Sequence, residues 1–314
     1  MISKRIEELD VLKGVAIICV VIGHVHLFAP PQGDPEDWTY KVIYSFHMPL
    51  FMTISGLLSA KLFERPAVST IVSKIRRIVI PCLVWQVITC LLIYSFDKTA
   101  IFNEFWYLKC LFFCICLTVV VSRVFKPWLH CILVCMLITW LIPVVWNIPY
   151  MYPFFCLGLA AGRQDWLSWL NKHTTNCIIV CSVLEVFLLS FWHGSMSQDF
   201  SRLQLFIYNA DYWYDLYAFV YRFVIALNSC ILLYGLSHKL LSRFSLSPFK
   251  EIGKQSLGIY LIHCIILNKL LAIHLDLPKP LTVALVSLVV IGGSFLICKI
   301  VSLNKYTARY MLGE

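Results

Sequence analysis

From Val11 to Leu303 the chain is a succession of apolar stretches. Most of them approach the roughly 20 residues that cross the hydrocarbon core of a bilayer as a helix. Ten spans can be drawn, over 11–29, 40–60, 78–96, 105–122, 128–146, 149–162, 176–192, 216–236, 255–274 and 281–303. Of the 314 residues, 60% are hydrophobic and only 14% charged, too much apolar surface for a soluble fold to hide. Disorder is excluded on the same ground, because it requires low hydrophobicity and high net charge. In lipid every backbone amide must be satisfied within the segment, which leaves helices or closed barrels. The expected fold is therefore an all-α integral membrane bundle of about ten helices. A single membrane domain over residues 1–314, with no appended soluble domain, is the expected organisation.

The net charge of +9 does not point to nucleic acid, since no basic run is interleaved with exposed aromatics. Most of the 26 Lys and Arg fall in alternate connecting segments. With an even number of spans this places them on the cytoplasmic side together with both termini. The first span is not a cleavable signal: it carries Lys13 and His24, and no small-residue cleavage site precedes Pro30-Pro31. All 14 cysteines lie in hydrophobic stretches, and Cys114-x-Cys116 has neither zinc spacing nor a partner pair. They read as small apolar packing residues, and no metal is expected. The span from Pro149 to Gly162 is short and bracketed by prolines, so a kinked or partial crossing is expected there. Its Gly158-x-x-x-Gly162 offers a face for close helix packing.

Titratable groups inside a bilayer are costly and therefore functional candidates. Asp10 and Lys13 are three residues apart, share a helical face and can pair at the cytoplasmic mouth. His24 lies eleven residues beyond Lys13, about 16 Å of rise, and returns to the same stripe. His26 points about 200° away from His24, so these two imidazoles cannot share a metal from one regular helix. In the second span, Ser45-Phe46-His47-Met48-Pro49-Leu50-Phe51 sets His47 at a depth close to that of His24. Pro49 and Ser55-Gly56 are expected to loosen that helix where it faces protein or a wet cavity. Lys61 to Arg77 reads as the most basic loop, with Lys74-x-x-Arg77 placing two cations on one face before Pro81. Those cations either anchor the loop on the cytoplasmic side or form an anion site for the phosphates of a cytosolic donor.

Several segments together resemble the acyltransferase-3 family of integral membrane acyltransferases. They are Asp10-x-x-Lys13-Gly14, Lys13-x10-His24, the segment Ser45 to Phe51 with Ser55-Gly56, and Lys74-x-x-Arg77 followed by Pro81. Phe105-Trp106-Tyr107-Leu108 and Ser256-Leu257-Gly258-Ile259-Tyr260-Leu261-Ile262-His263 complete the set, in order and across nearly the whole chain. The Phe-His-Met-Pro-Leu-Phe stretch is most similar to the fucose 4-O-acetylase-like branch, whose members acetylate sugars of surface polysaccharides. The resemblance implies a catalytic role for His24 and a donor-binding role for Lys13, Lys74 and Arg77. Lysine at position 74 departs from the family's paired arginines and lacks their bidentate geometry.

The expected reaction moves an acetyl group from acetyl-CoA to a sugar hydroxyl of a cell-surface polysaccharide or its lipid-linked precursor. No permanently bound cofactor is expected. A sugar hydroxyl needs a base within hydrogen-bond reach, for which His24 is suited, and His47 positions the substrate or assists. Asp10, Trp106, Tyr260, His263 and Trp213 are candidates for substrate contacts. The outer segment from His193 to Asp215 sets Phe200, Phe206, Tyr208, Tyr212, Trp213 and Tyr214 among carboxylates and amides. It suits either a sugar or an aromatic belt at the membrane surface. Glu185 and Arg222, on successive helices, are further polar residues able to pair. The expected location is a bacterial inner membrane, crossed many times. The rival reading is a transporter or flippase, whose internal repeats are not visible.

Overall fold

The computed structural model describes residues 7–30, 33–94, 98–141, 145–193, 212–271 and 277–314. Twelve helices carry the described fold. They are α1 (Glu7–Phe28), α2 (Trp38–Leu57), α3 (Ala67–Ile93), α4 (Trp106–Val124), α5 (Trp128–Leu141) and α6 (Ile148–Arg163). They continue as α7 (Trp166–Lys172), α8 (Thr174–Ser190), α9 (Tyr212–Leu241), α10 (Ser247–Lys254), α11 (Ser256–Leu271) and α12 (Lys279–Val301). No strand occurs among the described residues. The protein is an all-α, multi-pass membrane protein.

Each of the ten spans drawn from the sequence overlaps a helix among the described residues, but these helices are not equal in length. Six are long and apolar enough to cross a membrane unaided: α1, α2, α3, α4, α9 and α12. A seventh crossing follows if α7 and α8, which meet at an 88° bend, count together. The remainder are shorter: α5 has 14 residues, α6 has 16 and α11 has 16. Short helices can still lie at membrane depth when protein covers their ends.

Three local expectations change. The stretch before Pro81 is not a loop: helix begins at Ala67, directly after Pro66, and runs on through Lys74 to Ile93. The Pro66 carbonyl accepts hydrogen bonds from the Thr70 amide at 3.1 Å and the Thr70 hydroxyl at 2.9 Å, which closes the first turn. Inside α3 a π turn, Ile75–Val79, carries Arg76 and Arg77. Helix α2 passes Pro49 without interruption. Gly56 does not loosen that helix; it lets a neighbour approach. A Cβ on Gly56 would lie 2.0 Å from the Phe155 carbonyl oxygen, and one on Gly158 1.8 Å from that of Thr53. The glycine face foreseen on α6 thus packs backbone to backbone on α2. Helix α6 also holds Pro153 without breaking, with Pro149 at its start where a missing amide costs nothing.

The described chain clusters into two compact units. One comprises residues 48–73 and 109–239. Its core holds Tyr152, Phe154, Phe155 and Leu159 of α6, all fully buried. Three polar side chains of this unit hold one another. The Glu185 carboxylate accepts from Asn228 Nδ2 at 2.6 Å and Ser229 Oγ at 2.7 Å. Arg222, earlier on the same helix as Asn228, is buried, with its guanidinium 5.0 Å from the Trp192 ring.

The other unit comprises residues 1–47, 74–108 and 240–314. Its organising contact is α10 laid across α1. A Cβ on Gly14 would fall 2.1 Å from the Phe249 carbonyl oxygen, and one on Gly253 1.8 Å from that of Asp10. Lys250 reinforces the crossing by an ion pair with Glu7 at 2.9 Å. Gly14, which the sequence offered as part of a motif, is here the residue that lets α10 dock. The tail also returns to this unit. Trp85 Nε1 donates to the Met311 carbonyl at 2.8 Å, and Gly313, at φ +72°, closes on the Arg77 backbone.

Candidate active site

The site is built where α1, α2 and α11 bring imidazoles together within the unit of residues 1–47, 74–108 and 240–314. Gly23 lies directly before His24, and a Cβ there would meet Ile43 and Tyr44 of α2 at 3.1 and 3.2 Å. One turn beyond Ile43 is His47, whose Nδ1–H donates to the Ile43 carbonyl at 2.7 Å. The Tyr44 ring packs edge-on against the His47 imidazole, centroids 4.8 Å apart. His24 and His47 are close enough to act on each other electrostatically.

His263 comes closer still. Its Nε2 is 3.0 Å from His24 Nδ1, with the two ring centroids 5.1 Å apart. Hydrogen bonding determines which nitrogen carries each proton. His263 Nδ1 faces the carbonyls of Tyr260 at 2.7 Å and Ile259 at 3.1 Å, and a carbonyl can only accept. Its proton is therefore on Nδ1, and Nε2 is an acceptor. His24 must then donate from Nδ1, which leaves its Nε2 with a lone pair. His263 is buried at 1% exposure and His24 is half-buried, so this tautomer is held by protein. An imidazole held so has the geometry that general-base chemistry requires, one nitrogen free to accept and the other fixed by a neighbour.

Around this pair stand groups that the sequence had placed only as separate motifs. Tyr260 lies one turn before His263, with ring centroids 5.8 Å apart. Phe105, at φ +52°, and Tyr107 bring their rings to 6.1 and 5.9 Å of Tyr260. Trp106, half-buried between them in sequence, meets Tyr107 at 6.3 Å. Cys264 was read as packing, yet its Sγ is 3.3 Å from His263 Nε2 and 3.9 Å from His24 Nδ1. Nothing in its local sequence distinguishes it from the other cysteines; only its place after His263 hints at the site.

The remaining candidates lie elsewhere. Lys13 and Asp10 form the foreseen pair at 3.2 Å, three turns of α1 below His24. Asp10 is buried, with its backbone carbonyl against Gly253 of α10. Lys74 is half-buried at the start of the π turn, while Arg76 and Arg77 are exposed. His26 turns away from the site to Asp37, 3.3 Å distant. Trp213 falls in the first turn of α9, where its side chain lies outside the described residues, as does most of the outer aromatic segment.

The family model for the acyltransferase domain, acyltransferase type 3, matches residues 6–299. The chain belongs to the acyltransferase-3 family. The paired imidazoles lie within the matched region. Among its relatives is the nodulation protein NolL of Mesorhizobium japonicum, 26% identical over 232 residues, which are 65% of this chain and 60% of that protein. NolL of Sinorhizobium fredii is 30% identical over 217 residues, 60% of this chain and 58% of that protein. The match spans about three-fifths of the length of these curated relatives. No solved structure matches the chain.

Proposed function

We propose that this acyltransferase moves an acetyl group from cytosolic acetyl-CoA to a sugar hydroxyl of a surface polysaccharide or a lipid-linked precursor. His24 is the base. The observation that carries this reading is the His24–His263 hydrogen bond, which leaves His24 Nε2 unprotonated and aimed away from its anchor. His24 Nε2 takes the proton of the sugar hydroxyl as its oxygen attacks the thioester carbonyl. The C–S bond breaks, and the departing thiolate takes the proton from His24 to leave as free CoA. His47, held through Nδ1, faces the same level and positions the acceptor. Tyr260, with Phe105 and Tyr107 against it, supplies the flat apolar wall on which a sugar ring packs.

At the other end of the stripe, Lys13, Lys74 and Arg77 supply cations for the donor's phosphates. An extended pantetheine arm would run from them along α1 toward His24. Transfer takes place within a bacterial inner membrane, and the chain needs no nucleic-acid partner. The test is expression of wild type and His24→Ala in a strain lacking the gene, with surface glycan analysed by mass spectrometry. An acetyl ester present with wild type and absent with the variant supports the reading. Acetylation that persists in a stably inserted His24→Ala protein overturns it.

A further inference from the structure

We infer that His24, His263 and Cys264 form a binding site for a single borderline-soft divalent cation, with zinc as the best fit. The three donor atoms are 3.0, 3.3 and 3.9 Å apart. A tetrahedral zinc ion with ordinary Zn–N and Zn–S bonds separates its nitrogens by about 3.3 Å and a nitrogen and sulfur by about 3.6 Å. The side chains therefore need to move by only a few tenths of an ångström to accept the ion.

Chemistry selects the same class. Two imidazoles and one thiolate suit zinc and other late first-row ions, while magnesium and calcium require oxygen ligands. His263 meets a second requirement, since a ligating imidazole nearly always donates its other N–H to a carbonyl or carboxylate. Its Nδ1–H already does so, to Tyr260 and Ile259. Charge also fits. One thiolate leaves a divalent ion with a single net positive charge, and Glu104 lies within electrostatic reach of Cys264.

Binding releases the Cys264 thiol proton to solvent and shifts the His24 proton from Nδ1 to Nε2, so the ion replaces the His24–His263 hydrogen bond and both imidazoles stay neutral. Three protein donors leave one tetrahedral position for a water or substrate oxygen, as in ions that act on substrates. Sequence spacing excluded a metal between His24 and His26, and that exclusion stands. The second and third donors arrive instead from α11, 239 and 240 positions away.

The test uses the full-length protein in detergent or nanodiscs, stripped with chelator and titrated with cobalt(II) alone as the spectroscopic probe. One equivalent should produce tetrahedral visible bands and a thiolate-to-cobalt charge-transfer band, both displaced by one equivalent of zinc. Cys264→Ser should lose the charge-transfer band, whereas Cys19→Ser should keep it. His263→Gln, also folded by tryptophan fluorescence, should lose stoichiometric binding. Absence of the bands in wild type, or their survival unchanged in Cys264→Ser, overturns the inference. Neither acyl donor nor acceptor enters the measurement, so its failure would leave the role of His24 as base untouched; the loaded form, with the His24 proton on Nε2, is an inhibited state of the same site.

Discussion

The docking of α10 on α1 yields a prediction that the geometry makes quantitative. In Gly253→Ala the new Cβ would stand 1.8 Å from the Asp10 carbonyl oxygen and 2.9 Å from the Gly14 amide nitrogen. Both obstacles are backbone, so no rotamer change relieves them. Even to reach the 3.0 Å that real Cβ contacts essentially never undercut, α10 must withdraw by about 1.2 Å. Overpacking of this kind costs about 1–3 kcal/mol. At about 2–4 °C per kcal/mol for a chain of a few hundred residues, the melting temperature should fall by several degrees. Gly292→Ala is the matched control, because nothing lies within 4 Å of its added Cβ. There the substitution removes only a helix-interior glycine and should stabilise by up to about 1 kcal/mol. Intrinsic tryptophan fluorescence of the purified protein, heated in one detergent, reads both. Equal melting temperatures for Gly253→Ala and wild type would refute the close crossing, and with it the reason given for Gly14.

Three further outcomes are expected. His263→Ala strands the His24 Nδ1–H, and loss of a hydrogen-bond acceptor costs about 1–3 kcal/mol. Initial-rate kinetics should show kcat down about tenfold to a hundredfold with KM for the donor nearly unchanged; a change confined to KM, with kcat at the wild-type value, would contradict the tautomer argument. Arg77→Gln and Lys74→Gln should instead raise KM for acetyl-CoA about threefold to tenfold and leave kcat in place, most visibly at low salt. Glu251 pairs with Lys254 and Lys299, and the Lys254 hydrogen bond leads the effects that hold its carboxyl below the ordinary glutamate range. A depressed folded value means that the contribution is present above the ordinary range and disappears as pH falls through the depressed value. Melting of Glu251→Gln should therefore differ slightly from wild type at neutral pH in low salt, and match it in strong acid or high salt.

Much of this architecture is readable in the amino acids, and the boundary of legibility has a physical cause. Runs of about 20 apolar residues report helices directly, and a period of 3.6 residues reports which groups share a face. So the Asp10–Lys13 pair and the Lys13–His24 stripe could be anticipated. Each involves one helix. Helix length was less legible: α3 starts within residues that read as loop, because Ala67 to Ser73 carries no strong apolar signal. The approach of His263 and Cys264 to His24 depends on how α11 packs beside α1, and local periodicity contains no information on that. The same holds for α10, whose alternation of Phe249, Lys250, Gly253 and Lys254 reads as a cytoplasmic loop until α1 is beside it. Glu185 and Arg222, offered as mutual partners, illustrate the limit within the other unit. The carboxylate is held by Asn228 and Ser229, and the guanidinium faces Trp192.

Removal of the acceptor's proton by His24 can be read in a single comparison. Wild type and His24→Ala, reconstituted at equal amounts in nanodiscs, are given labelled acetyl-CoA and the surface glycan isolated from a strain lacking the gene. The account predicts label in the glycan with wild type and a rate lower by about 10²- to 10⁴-fold with the variant, the usual contribution of a general base. Transfer by His24→Ala at the wild-type rate would contradict it.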